Sequence, residues 1–263
     1  MKLLATGCSG GVGRYIHADY EIDFRKFRNN NSHSDLKTQS IGSTLIHLAA
    51  ITSIQQVQDN PDESFEVNVS STIDLFRAFA NNGGKRFIFT STGHVYGKTP
   101  EDRLSAENDL LNPLSLYAEQ KILAETKLLQ EAENSGVELI VFRVFSLFGI
   151  GMKSHFLAGR IEAALKNFND FPKITNAEDV RDFSLPSDVA CLIEKSAKIP
   201  MSGSLTLNLC TGRGTTVKEI VRSNFPDIKN ESFVLGNSET PRLVGDPMKK
   251  DIFFSDYRST SKL

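Results

Sequence analysis

The chain has 263 residues, 40% of them hydrophobic and 24% charged, with a net charge of −2 at neutral pH. That length suffices for one large domain, or one domain with a small second lobe, and the charge balance offers no broad attraction to nucleic acid or anionic membrane. Three scattered cysteines, Cys8, Cys191 and Cys210, argue against a disulfide scaffold and a zinc site, and no apolar run is long enough for a membrane span.

The N-terminus MKLLATGCSGG does not read as a signal peptide, so the expected compartment is the cytoplasm. Its apolar run KLLAT (2–6) reads as a buried strand leading directly into Gly7, Gly10, Gly11 and Gly13. Glycines at a strand-to-helix turn let the backbone approach a pyrophosphate, while the following amides point at it. No Gly-Lys-Ser/Thr follows, which excludes a P-loop. A second strand is expected at 21–24. Only seven residues separate it from Gly13, fewer than the 10 to 12 or so a crossover with its helix usually takes. The first crossover is therefore expected to be unusually short.

Further along, TLIHLAA (44–50), RFIFTS (86–91) and ELIVFRV (138–144) are near-continuously apolar, as strands covered on both faces should be. Residues 62–82 carry Phe65, Val69, Ile73, Phe76 and Ala80 at helical spacing, stopped by Asn-Asn-Gly-Gly. A second helix is expected over 113–134, closed by Gly136. The alternation implies an α/β fold: a Rossmann-like doubly wound parallel sheet over residues 1–150. Residues 151–263 read as a mixed region, with helices near 155–168, 187–198 and after Thr216 and a strand at 205–211. They complete the sheet and form a small C-terminal substrate lobe.

Tyr117 and Lys121 lie four residues apart on the expected helix, hence on one face. A neighbouring ammonium favours phenolate, which would bring a phenol down from its ordinary pKa near 10 towards acid–base work. Taken alone, the pair reads more readily as a packing tyrosine and a solvated lysine.

Several ordered segments together resemble an extended short-chain dehydrogenase/reductase of the NAD-dependent epimerase/dehydratase family, which acts on nucleotide sugars. They are the glycine turn, His47-Leu48-Ala49-Ala50, Glu66-Val67-Asn68, Thr90-Ser91-Thr92-Gly93-His94-Val95-Tyr96-Gly97, Tyr117-x-x-x-Lys121, Arg181-Asp182-Phe183 and Ser187-Asp188. The resemblance implies NAD or NADP as cofactor, a nucleotide-sugar substrate, and Thr92, Tyr117 and Lys121 as the catalytic group, with Ser91 the lesser alternative to Thr92 and Lys121 also on the nicotinamide ribose. It places Asp35 and Leu36 near the adenine, and Leu48, Ala49 and Ala50 along the cofactor. Gly93-His94 stands where the family's dehydratases carry Asp-Glu, so a dehydratase is not expected. His94, Arg143 and Arg181 are candidate substrate contacts. For Arg143 a buried ion pair is an equal alternative.

Asp23 could hold the adenosine ribose, but Arg25, Lys26 and Arg28 follow it and tilt the expectation slightly to NADP. A short adenosine pocket tilts it to 4-ketosugar reductase over 4-epimerase. The alternative is a catalytically inactive NAD(P)-sensing binding protein of the same fold. A homodimer is a possible assembly that the resemblance implies.

Overall fold

The computed structural model describes residues 2–30, 34–154, 156–166, 173–234, 236 and 238–260; at 30, 34, 35, 166 and 256–260 it describes the backbone alone. His33 and His155 lie outside the described residues.

In chain order, β1 (Leu3–Thr6) ends in the glycine turn, and a single 3-10 turn at Gly13–Tyr15 leads to β2 (Tyr20–Glu21). Helices α1 (Phe24–Asn30) and α2 (Ser34–Gln39) precede β3 (Thr44–His47). The expected second strand at 21–24 is thus corrected to Tyr20–Glu21. Its end is set by Asp23, whose carboxylate accepts from the Arg25 and Lys26 amides at 3.0 Å and so starts α1.

Next come α3 (Ile54–Asp59), α4 (Pro61–Phe65), a π turn at Glu66–Ser70 and α5 (Ser71–Asn81), so the helical pattern read over 62–82 carries one extra-wide turn. Then follow β4 (Arg86–Thr92), a 3-10 turn at Gly93–Tyr96, α6 (Leu116–Ser135) and β5 (Glu138–Val144). Ser115 caps α6 at its start by accepting from the Ala118 amide, and Gly136 ends it in the left-handed region at φ 71°.

Besides a 3-10 turn at Asn230–Ser232, the remaining elements are short strands and four α-helices. They are β6 (Ser146–Leu147), α7 (Leu157–Lys166), β7 (Ile174–Thr175), β8 (Val180–Ser184), α8 (Pro186–Ser196), β9 (Ser204–Leu209), β10 (Gly214–Thr216), α9 (Val217–Asn224), β11 (Phe233–Val234), β12 (Arg242–Leu243) and α10 (Met248–Thr260).

The central sheet has the order β2-β1-β3-β4-β5-β9, and every pairing in it is parallel. One face packs Leu4, Leu45, Phe87, Phe89 and Val141 against α1, α2, α5 and α6. The other packs Ala5, Ile46, Ile88, Phe142 and Leu207 against α8 and α10. Strand order reverses between β1 and β3, and ligands of open α/β sheets bind beyond the carboxyl ends of strands at such a point. A separate apolar cluster, with Phe148, Ile161, Ile174 and Val221 at its centre, binds α7, β7 and α9 into a lobe beside those carboxyl ends.

Candidate functional site

At the reversal, Gly7 takes φ +73° and a Cβ there would come within 2.7 Å of the Ala49 nitrogen, so only glycine lets the turn lie against the end of β3. A Cβ on Gly13 would meet the Gly7 carbonyl at 2.1 Å. The Gly10 amide closes the turn onto the Gly7 carbonyl at 2.9 Å. The Gly11 and Val12 amides find no protein acceptor among the described residues, which leaves two donors on the turn for an anionic oxygen. Leu48, Ala49 and Ala50 follow β3 and flank the same turn. The Ala49 amide donates to Thr6 Oγ1 at 3.3 Å.

His47 fixes this corner. Thr72 Oγ1 donates to the Val67 carbonyl, so it accepts from His47 Nε2–H at 3.0 Å; Thr6 Oγ1 then donates to Nδ1 at 2.7 Å. The imidazole is neutral and fully satisfied, and burial pushes its pKa down to about 3. Asn68, in the π turn, accepts from the Ile51 amide at 2.9 Å and donates to the Ile51 carbonyl and to Gln120. It ties the segment after β3 to α6.

Thr92 ends β4, and its Oγ1 accepts from the His94 amide at 3.2 Å. Tyr117 sits in the first turn of α6 and Lys121 in the next. Thr92, Tyr117 and Lys121 retain only 6%, 8% and 3% exposure, so water competes weakly for them. Lys121 Nζ lies 4.3 Å from the centre of the Phe89 ring on β4. Ser91, one residue before Thr92, buries an Oγ with no protein partner among the described residues.

The electrostatics differ from the sequence expectation. Burial alone raises the Tyr117 phenol far above its ordinary value, and burial brings Lys121 down to about 7. The expected lowering of the phenol by the ammonium is corrected: burial sets the direction for both groups. The phenol rests protonated, as a donor.

Arg143 donates to both carboxylate oxygens of Glu125, to Tyr96 Oη at 2.8 Å and to the Glu107 carbonyl at 3.0 Å. It is the buried ion-pair residue of the two alternatives, with its donors spent inside the protein. Arg181 on β8 donates to Asp179 at 2.8 Å and to the Val180 carbonyl. Half-buried His94 is held near 4, first by burial and then by the Arg181 guanidinium. The Arg181 charge on β8 thus reaches His94 in the 3-10 turn after β4. Asp182 accepts from the Thr211 and Gly212 amides, a structural anchor.

The adenosine end is also corrected. Leu36 is 1% exposed within the core beside Phe24 and Phe27, because α2 turns its apolar side to the sheet. It packs instead of lining a cofactor site. The Asp35 side chain lies outside the described residues. Asp23 is spent as a cap, and Arg25 and Lys26 are exposed on α1. Arg28 lines a cavity of about 530 Å³ between α1, α2 and α5, shared with Lys37, Ser71 and Arg77. The acid at the end of β2 is Glu21, whose charge acts on the Cys8 thiol of the glycine turn. Burial, and then Glu21, raise that thiol to about 11. Sequence reasoning missed Glu21 by drawing the strand too long. It missed Glu125 because its partner, Arg143, lies on a separate element, β5.

A nicotinamide dinucleotide fits these residues: bare amides and a glycine backbone at one end, a buried unpartnered hydroxyl, a phenol and a lysine at the other, and an acid at the end of β2. Residues 16–204 match a family model described as "NAD dependent epimerase/dehydratase family". GDP-6-deoxy-D-mannose reductase of Pseudomonas aeruginosa is 27% identical over 237 residues, 84% of this chain and 78% of that protein. The UDP-glucose 4-epimerase of Thermus thermophilus, solved in complex with NAD, superposes with a TM-score of 0.81 at 21% identity, over 97% of this chain and 93% of that one. RMD from Pseudomonas aeruginosa, complexed with NADPH, gives 0.79 at 23% identity, over 95% and 91%. With 189 of its residues under the family model, the glycine turn at the sheet reversal and the tyrosine and lysine on α6, the chain belongs to the NAD dependent epimerase/dehydratase family.

Proposed function

We propose that the protein is an NAD(P)-dependent oxidoreductase acting at C4 of a nucleotide-activated sugar, as a 4-ketosugar reductase or 4-epimerase. The observation that carries the reading is the placement of Tyr117 and Lys121, both buried, on the first two turns of α6 beside the carboxyl end of β4. The similarity to a GDP-6-deoxy-D-mannose reductase and a UDP-glucose 4-epimerase supports the substrate class.

A bound nicotinamide supplies or accepts hydride at the sugar carbon. The protein's own residues handle the rest. Thr92 hydrogen-bonds the sugar oxygen, Tyr117 gives or takes its proton, and Lys121 holds ribose hydroxyls and stabilises phenolate once it forms. The lobe carries the nucleotide, with Arg181 towards its diphosphate, since a guanidinium fork matches phosphate oxygens. A phenol protonated at rest suits donation to the oxygen formed on carbonyl reduction, a step that reductase and epimerase share.

The test is NAD(P)H oxidation with a panel of nucleotide 4-ketosugars, alongside epimerisation of UDP-glucose. Tyr117→Phe is expected to lower kcat by about 10²-fold or more with cofactor affinity nearly unchanged. Wild-type protein that binds cofactor but turns over none of the panel would leave the sensing protein as the correct reading.

A further inference from the structure

Lys121 and Glu125 sit one turn apart on α6, and both are 3% exposed. A buried ammonium and a buried carboxylate at that spacing ordinarily form an ion pair. Here the lysine instead places its Nζ over the Phe89 ring, 4.3 Å from its centre. The carboxylate is taken from the other side. Arg143, on β5, reaches Glu125 Oε2 with Nη2 at 2.8 Å and Nε at 3.2 Å, and Oε1 with Nε at 3.3 Å.

The guanidinium is itself held from other directions. Tyr96 Oη accepts from its Nη1 and donates to Asn208 Oδ1 at 2.7 Å. The Glu107 carbonyl takes a second bond from the same nitrogen at 3.0 Å. Asn208 closes the ring: its amide donates to the Glu107 carboxylate at 2.7 Å and its side chain to the Ser105 carbonyl at 2.8 Å. Strands β5 and β9, the 3-10 turn after β4 and the loop ahead of α6 thus all converge on the pair. An arginine this restrained cannot release the glutamate by a rotamer change.

We propose that Arg143 and Glu125 are positioning residues that act on Lys121: by occupying the carboxylate, Arg143 withholds it from the lysine and leaves the ammonium unpaired for cofactor and phenol. The proposal rests on the reading of Lys121 given under the proposed function. The groups facing Lys121 are Tyr117 and Glu125 on its own helix, neutral His47 on β3 and the Phe89 ring on β4, with Arg143 on β5 behind Glu125. Glu125 is the only carboxylate whose charge acts on Lys121 among the described residues, and it draws the lysine's titration upward against the larger effect of burial.

Removing either partner alone should therefore move Lys121 in opposite directions. In Arg143→Gln the glutamate is freed and raises the lysine. In Glu125→Gln the arginine is left uncompensated and lowers it.

The experiment follows the ¹³Cε resonance of Lys121, assigned with Lys121→Arg, across a pH titration of the full chain without added ligand. The wild-type midpoint is expected near 7. Arg143→Gln should shift it up, and Glu125→Gln down, by about one pH unit, a tenfold change in the ratio of neutral to charged lysine. The double variant should return close to wild type. Arg143→Lys, which keeps the charge, should leave the midpoint near the wild-type value, and with Glu125→Gln it carries the test if Arg143→Gln does not fold. Shifts of the same sign, or no shift in Glu125→Gln, overturn the proposal. The readout needs no turnover, so its failure is separable from failure of the oxidoreductase reading, which cofactor binding and the ketosugar panel decide.

Discussion

Glu21 is the residue whose role turns on one or two positions of chain. β2 stops at Glu21, which puts that carboxylate at the strand end beside Cys8, where an acid can accept from adenosine ribose hydroxyls and repel a 2′-phosphate. We infer a preference for NAD, against the tilt to NADP that the basic run Arg25, Lys26 and Arg28 gave from sequence. That run is helix, with Arg28 turned to the cavity by α5. Glu21→Ala should reduce the ratio of NADP to NAD dissociation constants at least about tenfold by fluorescence titration of the reduced cofactors. An unchanged ratio would remove Glu21 from selectivity. The glycines were legible because their spacing after a strand carries its own physics. Glu21 was hidden by an apolar-looking stretch, Glu21-Ile22-Asp23-Phe24, whose last two members start a helix.

Among the elements, those with a strong period were legible and the rest were not. β5 spans the residues expected, and β1 and β4 lie within a residue of theirs, since strands covered on both faces read as unbroken apolar runs. β3 stops at His47, short of Leu48-Ala49-Ala50, because the chain there bends to Asn68 and the glycine turn. The two-residue strands of the lobe have no period to read. α6 was legible through its end at Gly136, and its start is set by Ser115. Ser115→Ala removes the acceptor for the Ala118 amide, one residue beyond Tyr117, and should cost about 1 kcal/mol, lowering Tm by about 2–4 °C. Calorimetry would check it. A larger loss of activity than of stability would show that the first turn also aims the phenol.

For the molecule as a whole, buried ionisable groups set the response to pH. His47 drops from an ordinary 6.5 to about 3. The unfolded chain then binds the extra proton between those values, so this contribution is complete above pH 6.5 and is lost as pH falls towards 3. Its slope is at most about 1.4 kcal/mol per pH unit. Lys121, depressed from 10.5 to about 7, acts with the same sign in a higher window: its contribution is complete above 10.5 and is lost as pH falls to 7. Urea midpoints should therefore fall from pH 7.5 to 4.5, and less steeply in His47→Gln. A flat wild-type profile would contradict the neutral, buried imidazole.

The central sheet's first margin has a further consequence. Before β2 begins, the backbone of β1 is already occupied: Asp19 takes the Leu3 amide with its side chain at 2.7 Å and gives its own amide to the Leu3 carbonyl at 2.8 Å. β2 then runs for two residues and ends. A neighbouring chain finds too short a template there to add a strand, so crowded molecules have little means of zipping together along this border, and refolding at high protein concentration should be spared that route to precipitation.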